Sequence, residues 1–193
     1  MKRVSKLSAT IVLLFATIGA MGAEPKVTVD EARKSIVIEL EEPMSENQIR
    51  LIDMENHIIY SERLDRHEVS AKKLFLTKLP IGDYILMIEN DMRAIEYNIS
   101  VVKVGVRIVS KEVDNKPIFR KKDGRVYLNL WNSDLNPVEI KVRDAMDRML
   151  FSETMDGILD IQKAFNFKKA FAGSYVITVK DGKNIYTEAI EVK

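Results

Sequence analysis

Apolar and polar residues alternate along most of this chain, with the two-residue period of half-buried strands rather than the spacing of an amphipathic helix. Ile36, Ile38 and Leu40 fall on one face and Ser35, Val37 and Glu39 on the other; Val126, Leu128 and Leu130 alternate in the same way with Arg125, Tyr127 and Asn129. Further apolar pairs follow at Ile49 and Leu51, Ile58 and Tyr60, Leu74 and Leu76, then Tyr84, Leu86 and Ile88, then Ile95, Ile99 and Val101. Opening strands are expected around Lys26 to Val29 and around Ile118 to Arg120. Each half then holds about seven short strands, the number expected of a β-sandwich.

The halves are copies. Gln48 to Val101 realigns on Glu139 to Val192, 91 positions later, and Asp53, Ser61-Glu62, Gly82 and Tyr84 recur as Asp144, Ser152-Glu153, Gly173 and Tyr175. The fold class expected is all-β: two tandem immunoglobulin-like β-sandwich domains after an N-terminal signal peptide. Residues 1–23 form the signal peptide, 24–105 the first domain and 106–193 the second. From Val101 to Asp114 the alternation does not stop, so the last strand of the first domain is expected to run on into a connecting strand, with the boundary near Gly105.

Turn chemistry supports the strands. Asp53 and Asp144 each open a four-residue turn in which the carboxylate can accept amide hydrogens, and Asn56 and Asp147 tolerate a left-handed backbone. Asp181-Gly182, with Asn90-Asp91 at the same place in the first copy, and Asp123-Gly124 suit tight hairpins. Gly82 and Gly173 can turn the chain sharply. Tyr84 and Tyr175 can bury a ring while the hydroxyl reaches backbone or water.

Lys2, Arg3 and Lys6 precede an uncharged run from Leu7 to Ala20 and small residues up to Ala23, the pattern of a cleaved secretory signal. The run is interrupted by Ser8, Thr10, Thr17 and Gly19 and is short for a membrane span. Its removal takes three cations from a formal net charge of +1, leaving −2, which disfavours a nucleic-acid binder. The chain has no cysteine, so each domain must stand on its apolar core without a disulfide. An exported product, in the periplasm, at the cell surface or outside the cell, is expected.

The segment Asp53 to Tyr60, followed by Leu79-Pro80-Ile81-Gly82-Asp83-Tyr84 and a closing hairpin, resembles the C-terminal sorting domains of the Bacteroidota type IX secretion system. The second copy repeats it with Asp144 to Asp147, then Phe171-Ala172-Gly173-Ser174-Tyr175, then Ile190-Glu191-Val192-Lys193. Asn56 and Asp147 replace the glycine of the turn motif, and Ala170 replaces the leucine of the corner. The resemblance implies a seven-stranded sandwich in each copy and a secretion signal in the second.

Chemistry is sparse. His57 and His67 stand without a cysteine or a spaced second histidine, and neither acidic turn has the ordered oxygen ligands of a calcium loop. No catalytic residue, metal or cofactor is expected. Trp131, the single tryptophan, and the outward Tyr127 form a candidate contact surface. The reading is a non-enzymatic exported protein acting through protein or cell-envelope contacts, with a type IX sorting signal or a carbohydrate-binding module as alternatives.

Overall fold

The computed structural model describes residues 24–40, 46–64, 71–182 and 184–193. The expected signal peptide and His67 lie outside the described residues. Among those described there are fifteen strands and no helix. The chain divides into two compact units, one ending at Asp114 and the other beginning at Asn115.

The first unit contains β1 (Lys26–Asp30), β2 (Ser35–Glu39), β3 (Asn47–Asp53), β4 (Ile58–Leu64), β5 (Ala71–Phe75), β6 (Gly82–Glu89), β7 (Arg93–Val101) and β8 (Val106–Asn115). They form a three-stranded sheet, β1-β2-β5, and a five-stranded sheet, β4-β3-β6-β7-β8. The alternation places Ile36 and Ile38 of one sheet and Ile49, Leu86 and Ile99 of the other in one buried cluster. Burying two apolar faces against each other is what holds such a pair of sheets together.

The second unit contains β9 (Ile118–Lys122), β10 (Arg125–Trp131), β11 (Val138–Asp144), β12 (Met149–Met155), β13 (Asp160–Asn166), β14 (Gly173–Asp181) and β15 (Asn184–Val192). Its sheets are β13-β10-β9 and β12-β11-β14-β15, around a separate core that includes Leu128, Ile140, Phe165 and Ile177. Both units are therefore sandwiches with one strand order, seven strands being common to the two.

The copying extends to irregularities. A register shift falls between Leu51 and Ile52 in the first unit and between Val142 and Arg143 in the second, 91 positions on. Asn56 and Asp147 both have positive φ, at 65° and 58°. The first hairpin differs: four residues separate β1 from β2, with Lys34 at φ 45°, whereas Asp123 and Gly124 alone join β9 to β10 at φ 50° and 66°. Two consecutive positive φ angles match the twist of a tight hairpin. At Asn90 the chain turns by another device, the side-chain oxygen accepting the Met92 and Arg93 amides at 2.9 Å each.

The residues after Gly105 depart from expectation. The alternating run does not continue β7; it breaks at Val102 to Gly105, where the Val102 amide donates to the Gly105 carbonyl at 3.2 Å. Gly105 has a φ of 108°, open to glycine and strained for other residues. The chain returns along β7 as β8, with the Asn98 side-chain Nδ2 donating to the Ser110 hydroxyl at 2.7 Å. Val106 is 0% exposed in the first core, and Ile108 and Val113 pack against it. Alternation predicts a strand here but cannot distinguish one that runs on from one that folds back, and the units divide after Asp114 rather than at Gly105.

Candidate functional site

Asp53 and Asp144 end β3 and β11. Asp53 Oδ1 accepts the Glu55 and His57 amides at 2.9 Å each, and its Oδ2 faces His57 Nδ1 at 3.1 Å. Asp144 Oδ1 accepts the Met146 and Arg148 amides at 3.0 Å each. Its Oδ2 takes Arg148 Nε at 2.7 Å and Nη2 at 2.6 Å. His57 and Arg148 thus occupy one repeat position and serve one purpose, a cation-capable side chain against the turn carboxylate.

These bonds favour the ionised acids. The Arg148 guanidinium, aided by the Arg148 and Met146 amides, holds the Asp144 carboxyl below the usual carboxylate range. The His57 amide, with the His57 ring and Glu55 amide, lowers Asp53. A carboxyl depressed in the folded state contributes stability that is complete above its unfolded pKa and lost as pH falls through the folded value. Asp144→Asn is therefore expected to lower the urea midpoint of Trp131 fluorescence at neutral pH, with the difference shrinking on acidification. A difference that grew as the pH fell would contradict this.

Tyr84 and Tyr175 close the loop before β6 and β14. The Tyr84 hydroxyl donates to the Pro80 carbonyl at 2.9 Å, and the Tyr175 hydroxyl to the Phe171 carbonyl at 2.8 Å. Gly173 has a φ of 146°; Gly82 is not at positive φ, so its backbone does not require glycine. Tyr84→Phe and Tyr175→Phe should each lower the stability of their own unit by about 0.5–1.5 kcal/mol, the net worth of one hydrogen bond. Urea unfolding of the single variants measures it.

Two arrangements escaped the sequence reading. Lys72 pairs with Glu62 at 2.6 Å, and Lys163 with Glu153 at 2.8 Å, each pair linking the edge strands of two different sheets. The identity of both members across the 91-residue repeat was the available signal. Asn132 is buried after β10, where its Nδ2 donates to the Asn136 carbonyl at 2.8 Å and the Ile158 carbonyl at 3.0 Å. No pattern marked it.

Among the described residues, one sheet face gathers aromatic and polar groups suited to recognition. On β10, Arg125, Tyr127, Asn129 and Trp131 share the outward face, because successive side chains point to opposite sides of a strand. Tyr127 and Trp131 are half-buried and Asn129 is exposed. Four residues of strand separate the two aromatic positions by about 13 Å. Arg120 and Ala164 lie beside Tyr127, Ile118 and Gln162 beside Asn129, and Asp160 beside Trp131. The face thus combines two rings, an exposed isoleucine and several hydrogen-bonding groups.

The corresponding face of the first unit carries Val37 and Glu39 on β2, with Phe75 on β5 beneath the Lys73 ammonium at 5.2 Å. It has no aromatic pair on its central strand. The Asp53–His57 and Asp144–Arg148 turns stand apart from these faces as folding devices. Among the described residues no three His, Cys, Asp or Glu side chains come together as a metal site, and no helix is long and apolar enough to cross a membrane.

No protein-family model matches the chain, and no curated protein matches it. Several solved structures are similar. A biofilm-associated protein, described as its BSP domain, is 13% identical with a TM-score of 0.29 over 88% of this chain, which spans 29% of that chain's length. The chicken interferon gamma receptor alpha chain is 9% identical, with a TM-score of 0.32, over 89% of this chain and 98% of its own. A two-domain fibronectin type-III segment of chicken tenascin is 6% identical, with a TM-score of 0.29, over 88% and 98%. The sandwich assignment rests on the strand order and cores described above.

Proposed function

We propose that this is a non-enzymatic exported protein that works by contact, with the outward face of β9-β10-β13 in the second unit meeting a protein of the cell envelope. The observation that supports this reading is the placement of Tyr127, Asn129 and Trp131 side by side on a central strand. Aromatic rings on a rigid strand offer large contact area at low cost in side-chain entropy. The polar groups around them would fix orientation. Cross-linking in envelope preparations should capture a partner with the native chain and lose it with Trp131→Ala, while circular dichroism stays unchanged. Equal capture by both chains would overturn the assignment of this face.

The same rings, with Asn129, Gln162 and Asp160 beside them, also suit a sugar. Glycan-array binding that disappears in Trp131→Ala would favour that carbohydrate reading over the protein one. Export is supported by Lys2, Arg3 and Lys6 before the uncharged run, and mass spectrometry of the native protein should find Glu24 as its first residue.

A sorting role for the second unit is the remaining alternative. Its motif residues make the same bonds in both copies, so folding accounts for them without a secretion receptor. Deleting Arg125 to Lys193 would trap the remainder in the periplasm if that alternative held.

A further inference from the structure

β7 and β15 are the same strand of the repeat, yet their surroundings differ. In the first unit β8 covers the outer edge of β7, and the inward side chains Ile95, Tyr97, Ile99 and Val101 are all buried. β15 is the last strand of its sheet, and among the described residues no strand pairs with its outer edge. Its inward row is less well covered: Ile190 is buried, whereas Tyr186, Glu188 and Val192 are only partly so, and Ile185 on the other face is 65% exposed.

Where β8 begins in the first unit, Val106 fills the core and Gly105 lies against Glu31 of the first hairpin. In the second unit the space between the β9–β10 hairpin and the end of β15 is a cavity of about 460 Å³. Val126, Phe167 and Ile190 supply its apolar lining. The same wall carries the cations Lys121, Lys122, Arg125, Lys168 and Lys193 against the acids Asp123 and Glu191. A lysine partly guards the edge: Lys121 Nζ donates to the Ala189 carbonyl at 2.7 Å and pairs with Glu188 at 2.6 Å. The Ala189 carbonyl therefore points away from β14, and by the two-residue period so do the backbone groups of Ile185, Thr187 and Glu191.

We infer that the edge of β15 is a strand-acceptor site for an extended acidic segment of a partner protein, which pairs with these outward groups and seats an apolar side chain in the cavity. The first unit supplies the template, since β8 occupies the same edge and buries Val106 at its start. Charge selects the occupant: five cations facing two acids favour carboxylates, and Lys121 can exchange Glu188 and the Ala189 carbonyl for an incoming one. Strand addition of this kind draws affinity from main-chain bonds and specificity from side-chain pockets. The site shares Arg125 with the outward face of β10 but none of Tyr127, Asn129 and Trp131, so loss of the aromatic contact leaves this site testable by itself.

The test uses the full chain and a synthetic peptide of the β8 sequence, Val106 to Asn115, with glutamate in place of Arg107 and Lys111. Nuclear magnetic resonance titration should shift the β15 amides and slow exchange at Ile185, Thr187, Ala189 and Glu191. Thr187→Pro removes one outward amide at a position where an edge strand tolerates proline, and should weaken binding at least tenfold with the fold intact. Arg125→Glu should weaken it as well, whereas Trp131→Ala should not. No binding at millimolar peptide, equal binding of a scrambled peptide, or indifference to Thr187→Pro would each overturn the site.

Discussion

Phe165→Ala is expected to destabilise the second unit by about 3–5 kcal/mol and to leave the unfolding of the first unit where it is. Phe165 lies on β13 at 1% exposure and meets Phe151 edge to face, with ring centroids 5.4 Å apart and planes at 77°. Truncation removes the buried ring and the aromatic contact together and leaves a void between two sheets. Close-packed interiors relax only partly around such a loss. Trp131, the one tryptophan, belongs to the second unit, so its fluorescence follows that unit, while far-ultraviolet circular dichroism follows both. The fluorescence transition should move to much lower urea, with a second dichroism transition left at its original midpoint.

Val106→Asp should have an effect of the same order on the other unit. Val106 is 0% exposed at the start of β8, where a carboxylate would enter an apolar core. A buried charge left without a partner destabilises by about 3–5 kcal/mol. Val109→Asp, three residues on at a side chain 68% exposed, is the control and should change stability by no more than about 0.5 kcal/mol. Loss of the first unit's transition with unchanged Trp131 fluorescence would place β8 within the first core. A harmless Val106→Asp would make the segment a linker.

Much of this architecture is legible in the residues because the sandwich imposes a strict period. β3 and β11 bury the same alternate positions, Ile49 and Leu51 in one and Ile140 and Val142 in the other, so alternation alone predicts them. Both acidic turns are readable because Asp53 and Asp144 recur with Asn56 and Asp147 three residues later. The ion pairing of Asp144 with Arg148 is not, since a turn sequence does not say which way a long side chain folds. β8 shows the limit most clearly. Its alternation predicts a strand, but its pairing is set by the turn at Val102 to Gly105, where Gly105 is the sole turn-forming residue type.

The face proposed for contact is partly legible. Period two places Tyr127 outward, but Trp131 joins it only once β10 is known to run unbroken to that residue. Its neighbours Ile118, Gln162 and Asp160 come from strands whose register no single sequence supplies. The open edge of β15 was hidden for the same reason: closing strands that read alike in the two copies differ in what lies beside them.

Residue-resolved hydrogen exchange of the full chain, native against Phe165→Ala, is the most direct test that each copy holds its own core. Faster exchange should be confined to β9 through β15, with the amides of β2, β3, β6 and β7 protected as before. Equal loss of protection in both sets would mean one shared core and would contradict the account.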